Sequence, residues 1–296
     1  MRNSRRNAGW TALMLLTGIL AVLAVTGCRT PGQQAAPAIK VMSYNIRIGA
    51  GGGEWPSDPK VFNLEPAAVV IASQQPDLAG LQEVDRFRPR SAKMDQPALL
   101  KEKLKMNTAF APAYTVPVEG APDEEYGVAL LSKHSILSQR RFPLFKPDYR
   151  QSHPEYPDYY SEQRVLLYLP VFIQGRVVHV FVTHLGLTED QRERQIAQIA
   201  EICAGYKGPK ILMGDFNAEP GEPAIARLRK QFQDALDAVG TSPEMRKSFP
   251  GGTSPRNAID YIFVSPELEV VSAQVVRDAS IASDHNPVIA ELRFKR

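Results

Sequence analysis

The chain has 296 residues, 44% apolar and 23% charged. That composition excludes a disordered chain and suffices for one large α/β domain or two small ones. The formal charge of +3 belongs entirely to residues 1–27, which hold three arginines and no acid, so 32 basic residues face 32 acidic ones beyond them; a protein that grips long nucleic acid carries a basic excess or stripe, which makes nucleic acid a possible but not the favoured partner.

In chain order, Arg2, Arg5 and Arg6 precede an almost uninterrupted apolar run from Thr11 to Val25. The run is shorter than the roughly 20 residues that cross a bilayer, which makes it a secretory signal rather than a membrane anchor. It closes on Val25-Thr26-Gly27-Cys28, which resembles the bacterial lipobox. The implied layout is a lipoprotein signal peptide over 1–27, lipidation at Cys28, a Pro/Gly/Ala/Gln-rich tether over 28–38 and one domain over 39–296. The expected location is the bacterial cell envelope, lipid-anchored on the periplasmic or extracellular face. An ordinary signal cut near Cys28 would release a soluble periplasmic or secreted protein instead.

From Ile39 onward, strand and helix signals alternate without an internal repeat. Strands are expected over Ile39 to Ile46, Asp77 to Val84 and Gly127 to Ser132, and a hairpin over Val165 to Ile173 and Val177 to Thr183 about Gln174-Gly175. Further strands are expected over Lys210 to Gly214, Ala258 to Val264, Leu268 to Val276 and Val288 to Phe294. Helices are expected over Leu64 to Gln74, with Pro66 in the first turn, over Pro97 to Lys105, and from Thr188 to about Ala204. Gln191 is placed to complete a capping box on the last of these. Strands that far outnumber helices, several of them in hairpins, suggest two packed sheets with helices outside.

Two stretches fit no element. Gly49 to Pro59 reads as a flexible glycine-rich loop without the Gly-Lys-Ser/Thr ending of a phosphate loop. Lys146 to Tyr160 is rich in Tyr, Pro, Asp and His, either a substrate mouth or a surface loop. Cys203 follows Ile196, Ile199 and Ile202 on one helical face, the place of a buried structural thiol.

Polar groups gather at strand ends. Asn45 and Glu83 end the first two strands, His184 follows Val-Phe-Val-Thr, and Asp215 and Asn217 follow Ile-Leu-Met-Gly. Asp260 lies in Ala-Ile-Asp-Tyr-Ile, and Asp284-His285 precedes the last strand. Each alone reads as a turn cap or a strand-end residue; six such places mark where α/β folds assemble a site. Glu83, Asp284 and Asn45 offer hard oxygen ligands for Mg²⁺ or Mn²⁺, and no Cys/His cluster favours zinc. His184 and His285 remain for the reaction, and a phosphate ester needs what this inventory supplies: charge neutralisation, an activated water and a stabilised leaving oxygen.

"SYNIR", "LQEVD", "YGVALLSK", "FVTHL", "GDFNAEP", "IDYIFVS" and "SDHNPV", in this order, resemble the motif series of the endonuclease/exonuclease/phosphatase superfamily over about residues 39–296. The resemblance implies an α/β fold, a four-layer α/β/β/α sandwich of two packed mixed sheets flanked by helices, with the site across the top of both sheets. It implies that Glu83 binds Mg²⁺ directly, with Asn45 and Asp284 at or near the metal. His285, oriented by Asp260, and Asp215, positioned by Asn217, would share water activation and charge balance, and His184 would bond a phosphate oxygen or assist the leaving group. Histidine at 184, where the apurinic-site branch has tyrosine, points to the deoxyribonuclease, sphingomyelinase and phosphatase branches. Arg164 falls where family members often carry an arginine near the site; a salt-bridged strand arginine is the alternative. "YGVALL" lacks the Asn often found after this Gly, and "LQEVDRFRPRSAKMDQ" resembles a subgroup near membrane-linked and glycolipid-related proteins. His134, His153 and His179 match no catalytic motif and read as structural or surface residues.

The leading expectation is a Mg²⁺-dependent phosphodiesterase or phosphatase tethered to a bacterial membrane, acting on a phosphate ester such as a lipid headgroup. A secreted nuclease of the same superfamily is the enzymatic alternative, and a non-catalytic binding lipoprotein the alternative of another class.

Overall fold

Two β-sheets packed face to face carry the chain's polar strand ends to one rim. The computed structural model describes residues 37–54, 58, 61–149, 155, 161–277 and 282–295, and residues 36–296 form one compact unit. The signal peptide, the lipobox Cys28, most of Lys146 to Tyr160 and His153 lie outside the described residues.

The first sheet contains β1 (Ile39–Asn45), β2 (Leu78–Arg86), β3 (Asn107–Val116), β4 (Glu124–Ser132), β12 (Leu268–Val275) and β13 (Val288–Phe294), in the order β12-β13-β1-β2-β4-β3. The second contains β5 (Ser135–Ile136), β6 (Arg140–Pro143), β7 (Val165–Ile173), β8 (Arg176–His184), β9 (Lys210–Asp215), β10 (Gln233–Asp234) and β11 (Asp260–Val264), in the order β10-β11-β9-β8-β7-β5, with β6 also pairing β7. Each sheet is mixed: β1–β2 and β8–β9 run parallel, and their other neighbours run antiparallel. Helices α1 (Glu65–Gln74) and α2 (Gln96–Leu104) cover the first sheet, and α3 (Glu189–Ala204) and α4 (Pro223–Leu228) the second, while α5 (Ala235–Ala238) is a single turn. The expected four-layer sandwich is the fold observed.

Strand parity explains the layers. In β8, Val178, Val180 and Val182 enter the core between the sheets, whereas Phe181 joins the layer under α3. In β1, Ile39 and Val41 face the other sheet, while Met42 and Tyr44 face α1. The interface is tight: a Cβ built on Gly80 would lie 2.5 Å from Met213 Sδ of the opposite sheet. The capping box on α3 forms as expected, with Thr188 Oγ1 accepting from Gln191 N and Gln191 Oε1 accepting from Thr188 N.

Several elements depart from expectation. Strand β3 was not legible, because Pro112 and half-exposed alternation disguise it; it lies at the sheet edge, where a missing N–H is tolerated. The start of the glycine-rich loop is pinned rather than loose. Arg47–Gly49 forms a 3-10 turn, and Arg47 Nη1 donates to Gly51 O at 2.8 Å and Gly53 O at 2.7 Å.

Candidate active site

Strand periodicity places most of the site. Asn45 continues the inward row of Val41, His184 that of Val182, Asp215 that of Met213, and Asp260 that of Ile262. All four therefore point into the gap between the sheets at its upper rim, where β1 and β9 come into contact. Glu83 would miss the gap by this rule, since Ala79 and Leu81 of its own parity face the helices. A β-bulge between Leu81 and Val84, with Glu83 at φ 54°, breaks the alternation and returns its carboxylate to the rim. A non-glycine residue in this conformation stores strain of about 1 kcal/mol or more, and such strain marks functional positions.

Asn45 is the hub of the acidic side. Its Nδ2 donates to Glu83 Oε1 and to Asp215 Oδ2, both at 3.0 Å, and its Oδ1 accepts from Arg47 N at 3.0 Å. The resemblance places Asn45 at or near the metal, and these contacts keep it against Glu83. Its amino group is held toward two carboxylates and its oxygen is engaged by backbone, so it braces Glu83. Asp284 sits across the rim in an ion pair with Arg47 Nε at 3.1 Å. Burial raises the Glu83 pKa and Asp284's charge adds to it, against the hydrogen bond from Asn45 and the charges of His285 and Arg164.

Beside it lies a histidine held between carboxylates. His285 Nδ1 bonds Asp260 Oδ2 at 2.8 Å, and its Nε2 stands 3.6 Å from Asp215 Oδ2. Burial opposes charge on this ring, but the carboxylates of Asp260 and Asp215 outweigh it and push the pKa up to about 10. Asp215 is pushed up to about 7 by burial, which outweighs the charge of His285 and the hydrogen bonds from Asn45 and the Asn217 N–H, with the repulsion of Asp260 adding to it. Ser248, absent from the expected set, donates from Oγ to Asp260 Oδ2 at 2.6 Å, and the Phe249 ring lies 4.8 Å from that of His285. Arg47 and Ser248 were missed because each acts through a partner set by the fold. The only sequence signal was their closeness to "SYN" and to the turn "FPGG".

His184 is the second, uncharged imidazole. Burial, then the charges of Arg164 and His285, hold its pKa well below the ordinary value. Asn217 Nδ2 donates to Leu185 O at 3.0 Å and meets His184 Nε2 at 3.1 Å. The carbonyl fixes the amide's orientation, so Nε2 is the acceptor and the proton resides on Nδ1, a buried atom with no protein partner. Asn217 was expected to position Asp215; its backbone N–H does so at 2.9 Å, while its side chain orients His184. Arg164 is 5% exposed, pairs with Glu162 at 3.2 Å, and leaves Nε and Nη1 buried without partners.

Asp215, Asp260 and His285 bring one ligand atom each to within 4.8 Å of one another. Two of those residues are already bonded together, His285 Nδ1 to Asp260 Oδ2. A cation there would have to displace that bond, whereas the Glu83 and Asp284 carboxylates offer hard oxygen to it without doing so.

The sequence profile of the endonuclease/exonuclease/phosphatase family matches residues 42–285, a span that runs from β1 to the histidine of the rim. The chain belongs to this family. Its members are hydrolases acting on phosphate esters, typically with a divalent metal. A UPF0294 protein of Erwinia tasmaniensis is 28% identical over 188 residues, covering 62% of this chain and 63% of the relative; the chain thus spans under two thirds of that relative's length. A protein of Enterococcus faecalis V583 superposes with a TM-score of 0.66 at 25% identity, over 87% of this chain and 100% of its own. The mannosyl-6-phosphatase of Bacteroides thetaiotaomicron VPI-5482 superposes with a TM-score of 0.63 at 20% identity, over 86% of this chain and 100% of its own, a likeness of fold alone.

Proposed function

We propose that this chain is a divalent-metal-dependent phosphoesterase held at a bacterial membrane through Cys28. The observation that carries the catalytic reading is the convergence, on one rim, of a strained Glu83, a His285 set between Asp260 and Asp215, and a buried Arg164 with unpartnered nitrogens.

The donor set fits Mg²⁺ or Mn²⁺. Glu83 and Asp284 are hard oxygen donors close enough to repel each other, and Asn45 holds the first in place. Held by Glu83 and Asp284, such a metal would supply Lewis-acid polarisation of the phosphate and acidification of water. Arg164, buried and paired with Glu162, holds a fixed positive charge within reach of Glu83 and Asp215, where it offsets the charge of a bound phosphate. His285 is engaged on Nδ1 and already protonated, so it serves as a fixed cation against the charge that develops on the phosphate. The water proton goes to Asp215, whose carboxylate is oriented by Asn45 and by the N–H of Asn217. His184, neutral and oriented by Asn217, stands with its Nε2 3.5 Å from Asp215 Oδ2, beside the place of a phosphate or leaving oxygen. Glu83→Ala and His285→Ala are each expected to lower turnover at least about a hundredfold; unchanged turnover in either removes the site assignment. Palmitate labelling of the wild type but not of Cys28→Ala tests the anchor separately.

A further inference from the structure

The end of the sandwich opposite the cleft combines exposed apolar residues with cations. At that end the β7–β8 hairpin turns over Gln174-Gly175 and presents Phe172 and Val177, a directly opposed pair that is 48% and 38% exposed. Leu137, 55% exposed, lies beside them, its N–H bonded to Pro170 O. Register puts exposed cations around this apolar tip: Arg176 on the hairpin, Lys133 after β4, Lys207 before β9 and Lys295 after β13. Lys207 O accepts from His179 Nε2 of β8 at 2.9 Å, and the Arg176 guanidinium of the same strand lies 4.9 Å over the Phe294 ring at the end of β13. Against them, among the described residues of these turns, stand Asp77, tied to Lys40 N and to Lys133, and Glu267. The chain also joins the domain here, because Gln174 Nε2 donates to Pro37 O at 2.8 Å.

We infer that this basal face, an apolar hairpin tip ringed by lysines and arginine, is a contact surface for an anionic lipid bilayer and turns the catalytic cleft outward. An exposed apolar patch with a basic rim suits an interface with acidic headgroups. Pro37, where the described domain begins, is held at this face by Gln174 Nε2, and the inference rests on the anchored reading. The nine residues of β8 separate the tip from His184 by about 26 Å. The cleft then opens to the aqueous side, and its substrate is a soluble phosphate ester rather than a headgroup of the bilayer beneath it.

The test uses residues 29–296, which contain the compact unit with all three of its apolar clusters. Sedimentation is measured with phosphatidylcholine vesicles with and without phosphatidylglycerol, at low and high salt. Binding is expected only with phosphatidylglycerol, released by salt, and at least about tenfold weaker for Lys133→Glu/Lys207→Glu and for Phe172→Ser/Val177→Ser. An environment-sensitive dye on Gln174→Cys is expected to shift on binding, and one on Glu54→Cys, in the loop gripped by Arg47, is not; buried Cys203 stays unlabelled. Equal sedimentation with both vesicles, binding unaffected by the variants, or a shift at Glu54→Cys overturns the inference. So does vesicle-independent self-association through the hairpin tip, which would assign the patch to a second copy of the chain. Palmitate labelling at Cys28 and ester hydrolysis read the anchor and the catalysis independently of this result.

Discussion

Replacing Asp260 with asparagine isolates the link between His285 and its carboxylate. Asp260 is 2% exposed, and one oxygen, Oδ2, takes both the His285 Nδ1 bond at 2.8 Å and the Ser248 hydroxyl at 2.6 Å. The substitution preserves shape but removes the charge that keeps the imidazole protonated. A hydrogen bond to a charged group contributes about 1.5–3 kcal/mol, which is about 10- to 150-fold in rate if it is lost only in the transition state. Should the amide turn its NH₂ toward Nδ1, the imidazole is also driven into the wrong tautomer, and losses near 10⁴-fold follow in such sites. Asp260→Asn is therefore expected to lower kcat by about 10- to 10⁴-fold with KM within about threefold, since Asp260 is buried behind His285. Steady-state hydrolysis of a p-nitrophenyl phosphate ester with Mg²⁺ measures both constants. A kcat within threefold of wild type, or a loss carried by KM alone, would refute the proposed role of the pair.

Three other outcomes follow from particular contacts. Arg246, 7% exposed, ion-pairs with buried Asp234 and with Asp237, so Arg246→Ala should destabilise the fold by about 3 kcal/mol in urea unfolding, leaving Asp234 only the more distant Arg229 at 3.8 Å as a counter-charge. His285, raised to about 10, contributes stability that is fully present below its unfolded pKa of about 6.5 and is lost as pH rises through about 10. In EDTA, the melting temperature of wild type relative to His285→Gln should fall between pH 7 and 10; a constant difference would contradict the charged state. Burial pushes the Cys203 thiol up to about 12, so a thiol reagent at pH 8 should label it only after denaturant is added.

The features legible in the sequence were those written in periodicity. The inward rows of β1, β8, β9 and β11 predict which way Asn45, His184, Asp215 and Asp260 point, and polar residues at their ends drew notice for that reason. What escaped depended on departures from period or on distant partners. The bulge at Glu83 carries no glycine to announce it, because strain in a long residue is maintained by the surrounding rim rather than by local preference. Arg47 looks like an ordinary strand-end arginine until the fold brings Asp284 beside it. Ser248 reads as a loop serine until β11 places Asp260 within 2.6 Å of its hydroxyl. The His179 ring joins Tyr168 OH to Lys207 O and secures the turn before β9.

The most direct test of the central claim is hydrolysis of bis-p-nitrophenyl phosphate beside p-nitrophenyl phosphate by residues 29–296, with Mg²⁺ or with EDTA, against His285→Ala. The account predicts cleavage of at least one ester that requires the metal and falls at least about a hundredfold in the variant. Cleavage that survives both EDTA and His285→Ala, or no cleavage of either ester by folded, metal-loaded protein, would contradict it.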